Sequence, residues 1–313
     1  MDPYAAMTEG AALVDRSESG KLALTGAEAK AFLNGQVSND IEALEPGTGC
    51  YAALLTHKGK MLADLRVIDV GPPTQELLLL CERSALQALF DALRRFKVGF
   101  DCELHKRTLE RGLLSLIGPQ ATRLVGQSPE SHEHANAAGE VGGAPVLLIR
   151  TDVGVDVVCD SADTDRVRTA LIEAGAVEID EAAADVLRVE HGRPRYGVDL
   201  DDSVIPQEAG LNERAVSFTK GCYVGQETVA RLHWRGKPNR HLRGLRLGEE
   251  VQPGTGLRLG ERDVGVLTSV AESPRFGRVG LAIVRREAQP GDVLDAGGVR
   301  AEVVHLPFAE EPA

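Results

Sequence analysis

The sequence predicts an α+β protein in which two α/β units precede a small antiparallel β-barrel. One order of features, a strand, a cysteine, an acidic residue, a helix and a glycine, occurs twice, around Cys81 and around Cys159. The chain then changes character, with 11 glycines in the 74 residues from Arg240 to Ala313 and no helical period longer than one turn. With 313 residues, the chain is long enough for two or three domains.

The first α/β unit is predicted from three segments. Thr25-Gly26-Ala27-Glu28 has the S/T-x-x-E form of a capping box and predicts a short helix through Phe32 and Leu33. The apolar run from Leu77 to Cys81 predicts a strand. A helix is predicted between Ser84 and Phe96, because its apolar residues recur at helical spacing. These residues are Leu86, Leu89, Phe90, Leu93 and Phe96.

The second α/β unit and the barrel follow in the same way. A β-rich run ends at Cys159-Asp160, and a helix carrying Val167, Leu171 and Ile172 stops at Gly175. We therefore predict a region 1–236 made of two α/β units that separate near 127–144. Short β-type runs divided by Pro-Gly and Ser-Pro turns predict a β-barrel over 240–308.

Composition excludes several classes of protein. The chain has 35 Lys and Arg against 47 Asp and Glu, a net charge of −12, which argues against direct binding of nucleic acid. Its apolar runs are far shorter than the roughly 20 residues of a membrane-spanning helix. Acidic residues stand near the N-terminus where a secretory signal has Lys or Arg. We expect a cytoplasmic protein, monomeric and without membrane contact.

The cysteines and histidines do not predict a metal site. The five cysteines are an odd number, and none forms a C-x-x-C pair. His132 and His134 lie close together in a Ser/Gly/Ala-rich stretch, which we interpret as a solvated loop. We therefore expect neither a disulfide framework nor a bound metal.

The end of a predicted helix places Glu190 and His191 at a Gly/Pro turn. This helix begins near Asp180 and ends in Arg193-Pro194-Arg195-Tyr196-Gly197. A side chain at such a terminus can point into a cleft. The alternative for the Glu190 carboxylate is a surface salt bridge to Arg188, Arg193 or Arg195.

The segment Lys220-Gly221-Cys222-Tyr223-Val224-Gly225-Gln226-Glu227 is the strongest local motif. Glycines flank Cys222, which allows a tight turn, and good helix formers follow it. A neighbouring lysine and a helix start both favour the thiolate, so we expect a pKa below the usual value of about 8.5. The alternative is a buried structural cysteine.

Lys220 to Glu227 resembles the K-G-C-[FYWH]-x-G-Q-[ED] motif of the YgfZ family, folate-binding relatives of the glycine-cleavage T-protein. Further similar segments occur in the expected order and extend the resemblance over nearly the whole chain. They are Phe32 to Asp40, Lys58 to Leu65, Arg188 to Gly192, Pro206-Gln207-Glu208, and Thr268 to Ala282.

The resemblance implies a GcvT-like cloverleaf of two ferredoxin-like α/β units and a C-terminal antiparallel β-barrel around a channel for tetrahydrofolate. Glu190 matches the glutamate that pairs with the pteridine, which suits a carboxylate accepting two parallel N–H bonds. Asp64 matches the acidic segment near the one-carbon unit. Lys220 and Cys222 complete the implied catalytic group. The other implied folate-binding residues are Tyr196, Gly221, Tyr223, Gly225, Gln226, Glu227 and Arg231.

Two departures from T-protein bear on function. The T-protein stretch K-G-D-F-I-G-R-E has here Cys222 for the aspartate and Gln226 for the arginine. The resemblance therefore implies an accessory factor for iron–sulfur enzymes, including radical tRNA methylthiotransferases, rather than an enzyme with turnover of its own. The alternatives are an aminomethyltransferase that uses Asp64, and a scaffold in which Cys222 is dispensable.

Overall fold

The computed structural model describes residues 2–72, 74–127 and 129–309. Its α-helices are α1 Pro3–Glu9, α2 Ala29–Gln36, α3 Leu86–Phe96, α4 Ala121–Leu124, α5 Thr164–Glu173, α6 Glu181–Glu190, α7 Asn212–Ala215 and α8 Gln226–Arg235. The strands before α6 are β1 Ala12–Asp15, β2 Gly20–Thr25, β3 Gly49–Leu55, β4 Met61–Val70, β5 Glu76–Cys81, β6 Glu103–Lys106, β7 Arg111–Ile117, β8 Asn136–Val141, β9 Ala144–Arg150, β10 Gly154–Asp160 and β11 Val177–Glu178. The later strands are β12 Arg240–Leu247, β13 Gly256–Leu259, β14 Arg262–Ser273, β15 Gly277–Arg285, β16 Val293–Ala296 and β17 Val299–Val304.

The first two sheets arise from a repeated order of elements. The first repeat runs β2, α2, β3, β4, β5, α3, β6, and its sheet has the order β3-β4-β5-β2-β6. The second runs β7, α4, β8, β9, β10, α5, β11, with the sheet order β8-β9-β10-β7-β1-β11. Strand for strand the two sheets correspond, except that β1 enters the second between β7 and β11. The predicted pair of α/β units is thus present.

The second repeat begins earlier than the sequence indicated. Its first strand is Arg111–Ile117, and the stretch 127–144 contains β8 and ends where β9 of the same sheet begins. Strands before and after that stretch belong to this one sheet. Strand β1, near the N-terminus, joins the sheet by pairing antiparallel with β7. The loop therefore lies within one sheet.

Apolar side chains hold the two sheets and their helices together. Helix α5 buries Val167 and Leu171 against Leu114 and Leu148 of the second sheet. Between the sheets lies a mixed cluster from both repeats, composed of Ile68, Leu78, Leu80, Leu113, Ile149 and Val158. Burial of such side chains stabilises by about 1.5–3 kcal/mol each.

The start of α2 differs from the predicted capping box. Glu28 stands at the N-cap without a side-chain bond to the helix, and its carboxylate accepts from the backbone N–H of Asp101 at 2.6 Å. Thr25 ends β2, where its hydroxyl bonds to the His105 ring at 2.8 Å. The capping box is wrong because tertiary partners use both side chains, although the helix itself forms.

The last six strands close into a barrel in the order β12-β15-β14-β13-β16-β17. Its interior is apolar and includes Leu245, Leu257, Leu267, Val284 and Val303. Because the barrel is closed, no strand edge is left unpaired. The predicted α+β class with a C-terminal antiparallel barrel is confirmed.

Contacts divide the chain into two compact units. Residues 1–57, 62–184 and 214–224 form the first, and 58–61, 185–213 and 225–313 form the second. Segment 185–213 groups with the barrel because Arg240 pairs with Glu208 at 2.8 Å and the Leu242 N–H donates to the Glu208 carbonyl at 2.8 Å. None of the helices in the described ranges has the length and apolar character that crossing a membrane requires.

Candidate functional site

The residues singled out in the sequence are divided between the two units. The first unit holds Asp64, Lys220, Gly221, Cys222 and Tyr223. The second holds Glu190, Tyr196, Gly225, Gln226, Glu227 and Arg231.

The loop that carries Cys222 is anchored by the buried side chain of Lys220. Its ammonium group donates to the backbone carbonyls of Asn34, Val37 and Asn39, at 2.5, 2.9 and 2.8 Å. Burial lowers the pKa of Lys220 to about 8, so the group is mostly charged at neutral pH. These contacts make Lys220 the anchor of the loop, and a direct effect of its charge on the thiol stays a prediction.

Cys222 differs from the other cysteines in its exposure. All five lie in the described ranges, and Cys222 alone is exposed, whereas Cys50 is half-buried and the other three are buried. Burial raises the pKa of Cys50 and of Cys81 to about 12, which keeps both as neutral thiols. The alternative of a buried structural cysteine is therefore wrong for Cys222.

The two glycines near Cys222 have different roles. Gly225 has a φ of 86°, the left-handed region that favours glycine, and it stands at the N-cap of α8. Gly221 has no left-handed φ, and a Cβ added there would meet no atom within 4 Å. Tyr223 is buried, with the Lys220 Nζ 5.2 Å from its ring centre. Only Gly225 is required by its backbone conformation.

In the first unit, Asp64 forms a buried pair with Tyr51. The Tyr51 hydroxyl donates to the Asp64 carboxylate, and Asp64 is only 6% exposed. Burial raises the pKa of Asp64 to about 6 and that of Tyr51 well above its usual value. The guanidinium of Arg214 lies 5.4 Å from the Tyr51 ring centre. A carboxyl with a pKa near 6 can give or take a proton near neutral pH.

In the second unit, Glu190 is a buried carboxylate at the last residue of α6. It is 4% exposed, and the Ser273 hydroxyl donates to its Oε1 at 2.5 Å. Its own backbone carbonyl accepts from the N–H of Phe308 at 2.9 Å. The Glu190 side chain therefore lies in the interior of this unit and not at its surface.

A hydrogen-bonded network two residues before Glu190 fixes the end of α6. Arg188 binds both carboxylate oxygens of Asp185, at 2.6 and 2.9 Å, and Asp199 at 2.7 Å. Asp199 in turn accepts from Ser269 of the barrel at 2.7 Å. Such bidentate, charge-assisted bonds set the direction of the helix end, and with it the position of the Glu190 carboxylate.

The remaining predicted residues of the second unit follow from α8 and a short turn. Gln226 and Glu227 open α8, as predicted, and Glu227 places a negative charge in its first turn. Glu227 and Arg231 are exposed, and Gln226 is half-buried. Tyr196 is half-buried and bridges to Leu200.

Two side chains in the first unit were missed by sequence reasoning. The expectation of a solvated loop is wrong for His134, which is 5% exposed and has a φ of 70°. Arg66 lies on β4 and donates to Asp156 at 2.5 Å. A positively charged residue in a mostly apolar strand was the available signal for Arg66. No sequence signal marks His134, because its burial depends on tertiary packing.

Metal ligation finds no support in the described part of the chain. There, no group of three or more His, Cys, Asp or Glu side chains is arranged to hold a metal ion.

Comparison with known proteins agrees with this fold. A crystal structure of glycine cleavage system aminomethyltransferase T from Bartonella henselae superposes with a TM-score of 0.86, covering 98% of this chain and 88% of that chain at 24% identity. The fold is therefore that of the aminomethyltransferase T-protein class.

Sequence similarity then defines the family. The family described as GCVT N-terminal domain matches residues 2–220. An "Aminomethyltransferase" from Streptomyces avermitilis is 32% identical over 332 residues, covering 98% of this chain and 88% of that protein. A chloroplastic Arabidopsis thaliana protein, named provisionally as a transferase, is 27% identical over 98% of this chain and 74% of its own length. The chain belongs to the GCVT family of aminomethyltransferase-like proteins.

Proposed function

We propose that this protein binds a tetrahydrofolate and serves as an accessory factor for iron–sulfur enzymes, with Cys222 as its reactive group. The observation that carries the proposal is the exposed thiol of Cys222 on a loop anchored by Lys220. T-proteins have an aspartate in the motif that this loop resembles. A thiol suits contact with sulfur, iron or a protein partner, although one cysteine cannot hold a cluster without other ligands.

The proposed clients are radical methylthiotransferases that modify tRNA. The protein would contact these enzymes rather than the tRNA, which agrees with its net charge of −12. We propose that it does so as a cytoplasmic monomer.

Folate binding is proposed from the chemistry of Glu190. The aminopyrimidinone edge of a pteridine offers two parallel N–H groups, and a carboxylate accepts such a pair. A carboxylate can accept about four hydrogen bonds, and the Ser273 hydroxyl supplies one of them. Burial excludes water and strengthens the pairing. The residues present therefore fit a reduced folate.

Calorimetric titration with tetrahydrofolate tests this part of the proposal. Glu190→Gln keeps the size of the side chain but removes its charge and one acceptor. We expect a loss of about 1.5–3 kcal/mol, roughly ten- to a hundredfold in affinity. Glu272→Gln is the matched control, because the Glu272 side chain is 77% exposed on the barrel. Equal affinities of the two variants would remove Glu190 from the site.

The accessory role is tested in cells through Cys222→Ala. We expect loss of tRNA methylthiolation while glycine cleavage stays normal, since the substitution removes an exposed thiol and leaves the Lys220 anchor in place. Cys50→Ala is the control, a half-buried cysteine of the same unit. Normal methylthiolation with Cys222→Ala, in a strain where full deletion impairs it, would contradict the proposal.

Aminomethyl transfer is the second candidate, and one observation favours it. Asp64 is buried beside the Tyr51 hydroxyl, and its pKa of about 6 suits proton transfer near neutral pH. Under this function Asp64→Asn abolishes aminomethyl turnover, and Cys222→Ala leaves it nearly unchanged. If neither variant affects either activity, the protein acts as a scaffold. Measuring both activities for both variants distinguishes the three functions.

A further inference from the structure

The guanidinium of Arg66 donates a hydrogen bond from one side only, and its other side has no partner among the described residues. Its Nη1 donates to Asp156 at 2.5 Å, and Asp156 is itself held by the Ser115 hydroxyl at 2.6 Å. The Nε and Nη2 atoms of Arg66 are buried and have no hydrogen-bond partner among the described residues. Buried donors of this kind are costly unless something accepts from them.

The unused atoms form one particular edge of the group. In arginine the Nε–H bond and one Nη2–H bond point in the same direction, and this pair matches the two oxygens of a carboxylate. The bond to Asp156 holds the guanidinium from its other side. Arg66 is therefore fixed by the protein and presents a two-pronged donor.

Neighbouring side chains show where this edge lies. Arg66 stands two residues after Asp64 on β4, so both side chains are on one face of the sheet. Tyr51 of β3 is on that face, because its hydroxyl reaches Asp64. Gly49, two residues before Tyr51, shares the face. A Cβ added at Gly49 would come within 3.0 Å of the His134 Cβ and of the Ile68 side chain. His134 thus packs on the same sheet face, beside the strand that carries Arg66.

His134 supplies a second unused polar atom. Its side chain is 7% exposed, and its Nδ1 has no hydrogen-bond partner in the described part of the chain. Burial, followed by the charges of Arg66 and Arg214, lowers its pKa to about 2, so the ring is neutral. A φ of 70° in a residue other than glycine costs roughly 1–2 kcal/mol, and such strain is concentrated at functional positions.

We propose that Arg66 and His134 form a binding site for a carboxylate group of a ligand. The planar Arg66 edge supplies two parallel N–H donors, and the neutral imidazole, with its proton on Nδ1, donates a third hydrogen bond. A phosphate would demand more positive charge than remains, because Arg66 is paired with Asp156 and Arg214 with Glu133. Two sources carry the required chemistry, the glutamate tail of a folate and a free small carboxylate. The site is defined by residues that the proposed function does not use.

Titrating an Arg66→Lys variant with tetrahydrofolate and with a pterin that lacks the tail tests the site and shows which ligand supplies the carboxylate. Lysine keeps the charge beside Asp156 but lacks the two-pronged edge. For a folate tail, we expect tetrahydrofolate to bind at least tenfold more weakly, while 6-methyltetrahydropterin, which has no tail, binds as to the unaltered protein. Arg111→Lys is the matched control, because Arg111 pairs with Asp160 at 2.6 Å on the exposed side of the same unit. It should change neither affinity.

A free carboxylate is detected by NMR on the unaltered protein. Titration with sodium glutamate should shift the Nε–H resonance of Arg66, and sodium phosphate should not. His134→Asn, which tolerates the positive φ, should weaken carboxylate binding three- to tenfold and keeps the test available if Arg66→Lys does not fold. A shift with phosphate alone, or no response to either titrant together with unchanged folate affinity, would overturn the proposal. If folate fails to bind any variant but glutamate still shifts Arg66, only the folate proposal is lost.

Discussion

The two repeats of the first unit have the same topology and different chemistry. In the first repeat, β3 and β4 place Tyr51, Asp64 and Arg66 on one sheet face. The corresponding strands of the second repeat, β8 and β9, carry the sequences Asn-Ala-Ala-Gly-Glu-Val and Ala-Pro-Val-Leu-Leu-Ile-Arg. One repeat thus concentrates ionisable groups where the other has mainly small and apolar residues. The topology supplies a platform, and side-chain choice alone decides which repeat carries a candidate site.

The largest expected effect is a difference in reactivity between the strand cysteines of the two repeats and Cys222, which lies on a loop outside both repeats. Cys81 and Cys159 occupy equivalent strand ends, and both are buried with raised pKa values. Reaction at either one requires local opening, which costs about 4 kcal/mol for a core strand, or roughly a thousandfold in rate. We expect Cys222 to alkylate about a thousandfold faster than both. Mass spectrometry of iodoacetamide-treated protein over time measures the three rates, and similar rates at Cys81 and Cys222 would contradict the burial of Cys81.

The sequence anticipated the repeat and the barrel because both have local signals. Helical spacing at Leu89 and Leu93, and the Pro-Gly turns between short β-runs, depend only on neighbouring residues. It also predicted that a helix ends at Glu190 and that another begins just after Cys222. These predictions agree with the structure because they depend on neighbouring residues and not on contacts with distant segments.

What the sequence did not anticipate depends on distant partners. The four residues of β1 enter the second sheet between β7 and β11, which lie about 100 and about 165 residues later in the chain. Thr25 and Glu28 look like a helix cap but bond to His105 and Asp101. His134 is buried by tertiary packing that no local sequence pattern predicts. Each case is a tertiary contact that overrides a local preference.

Each repeat contains a buried aspartate whose substitution should change stability. The first is Asp156 of β10. It neutralises Arg66, so Asp156→Asn leaves a largely buried guanidinium without its counter-ion. We expect a loss of about 3 kcal/mol in the free energy of unfolding, measured by urea denaturation. Asp160→Asn, at an exposed ion pair with Arg111, should change stability little. A change at Asp156 as small as that at Asp160 would show that Arg66 needs no counter-ion.

Asp64 of the first repeat should respond in the opposite direction. Its folded-state pKa of about 6 lies above the ordinary 3.8, so between pH 4 and 6 the unfolded state loses a proton that the folded state keeps. The free energy of unfolding therefore falls as pH rises through this interval, by about 2–3 kcal/mol.

Asp64→Asn removes this penalty and keeps an acceptor for the Tyr51 hydroxyl. Relative to the unaltered protein, the variant should gain about 2–3 kcal/mol of stability between pH 4 and pH 7. Urea denaturation of both proteins at the two pH values measures the difference. A difference that is the same at both pH values would show that Asp64 titrates normally.

The smallest expected effect is a loss of stability at one glycine in each repeat, equal in the two repeats. Gly99 follows α3 with a φ of 94°, and Gly175 follows α5 with a φ of 111°. At both positions an added Cβ meets no atom within 4 Å, so alanine is opposed only by the backbone conformation. Such a conformation costs about 1 kcal/mol for a residue with a side chain. We therefore expect Gly99→Ala and Gly175→Ala to lower the free energy of unfolding by about 1 kcal/mol each, with no change in ligand binding. Denaturation of the two variants side by side measures this. A cost at one glycine and none at the other would mean that the repeats differ in backbone geometry as well as in chemistry, whereas equal costs would confine their divergence to the side chains on β3 and β4.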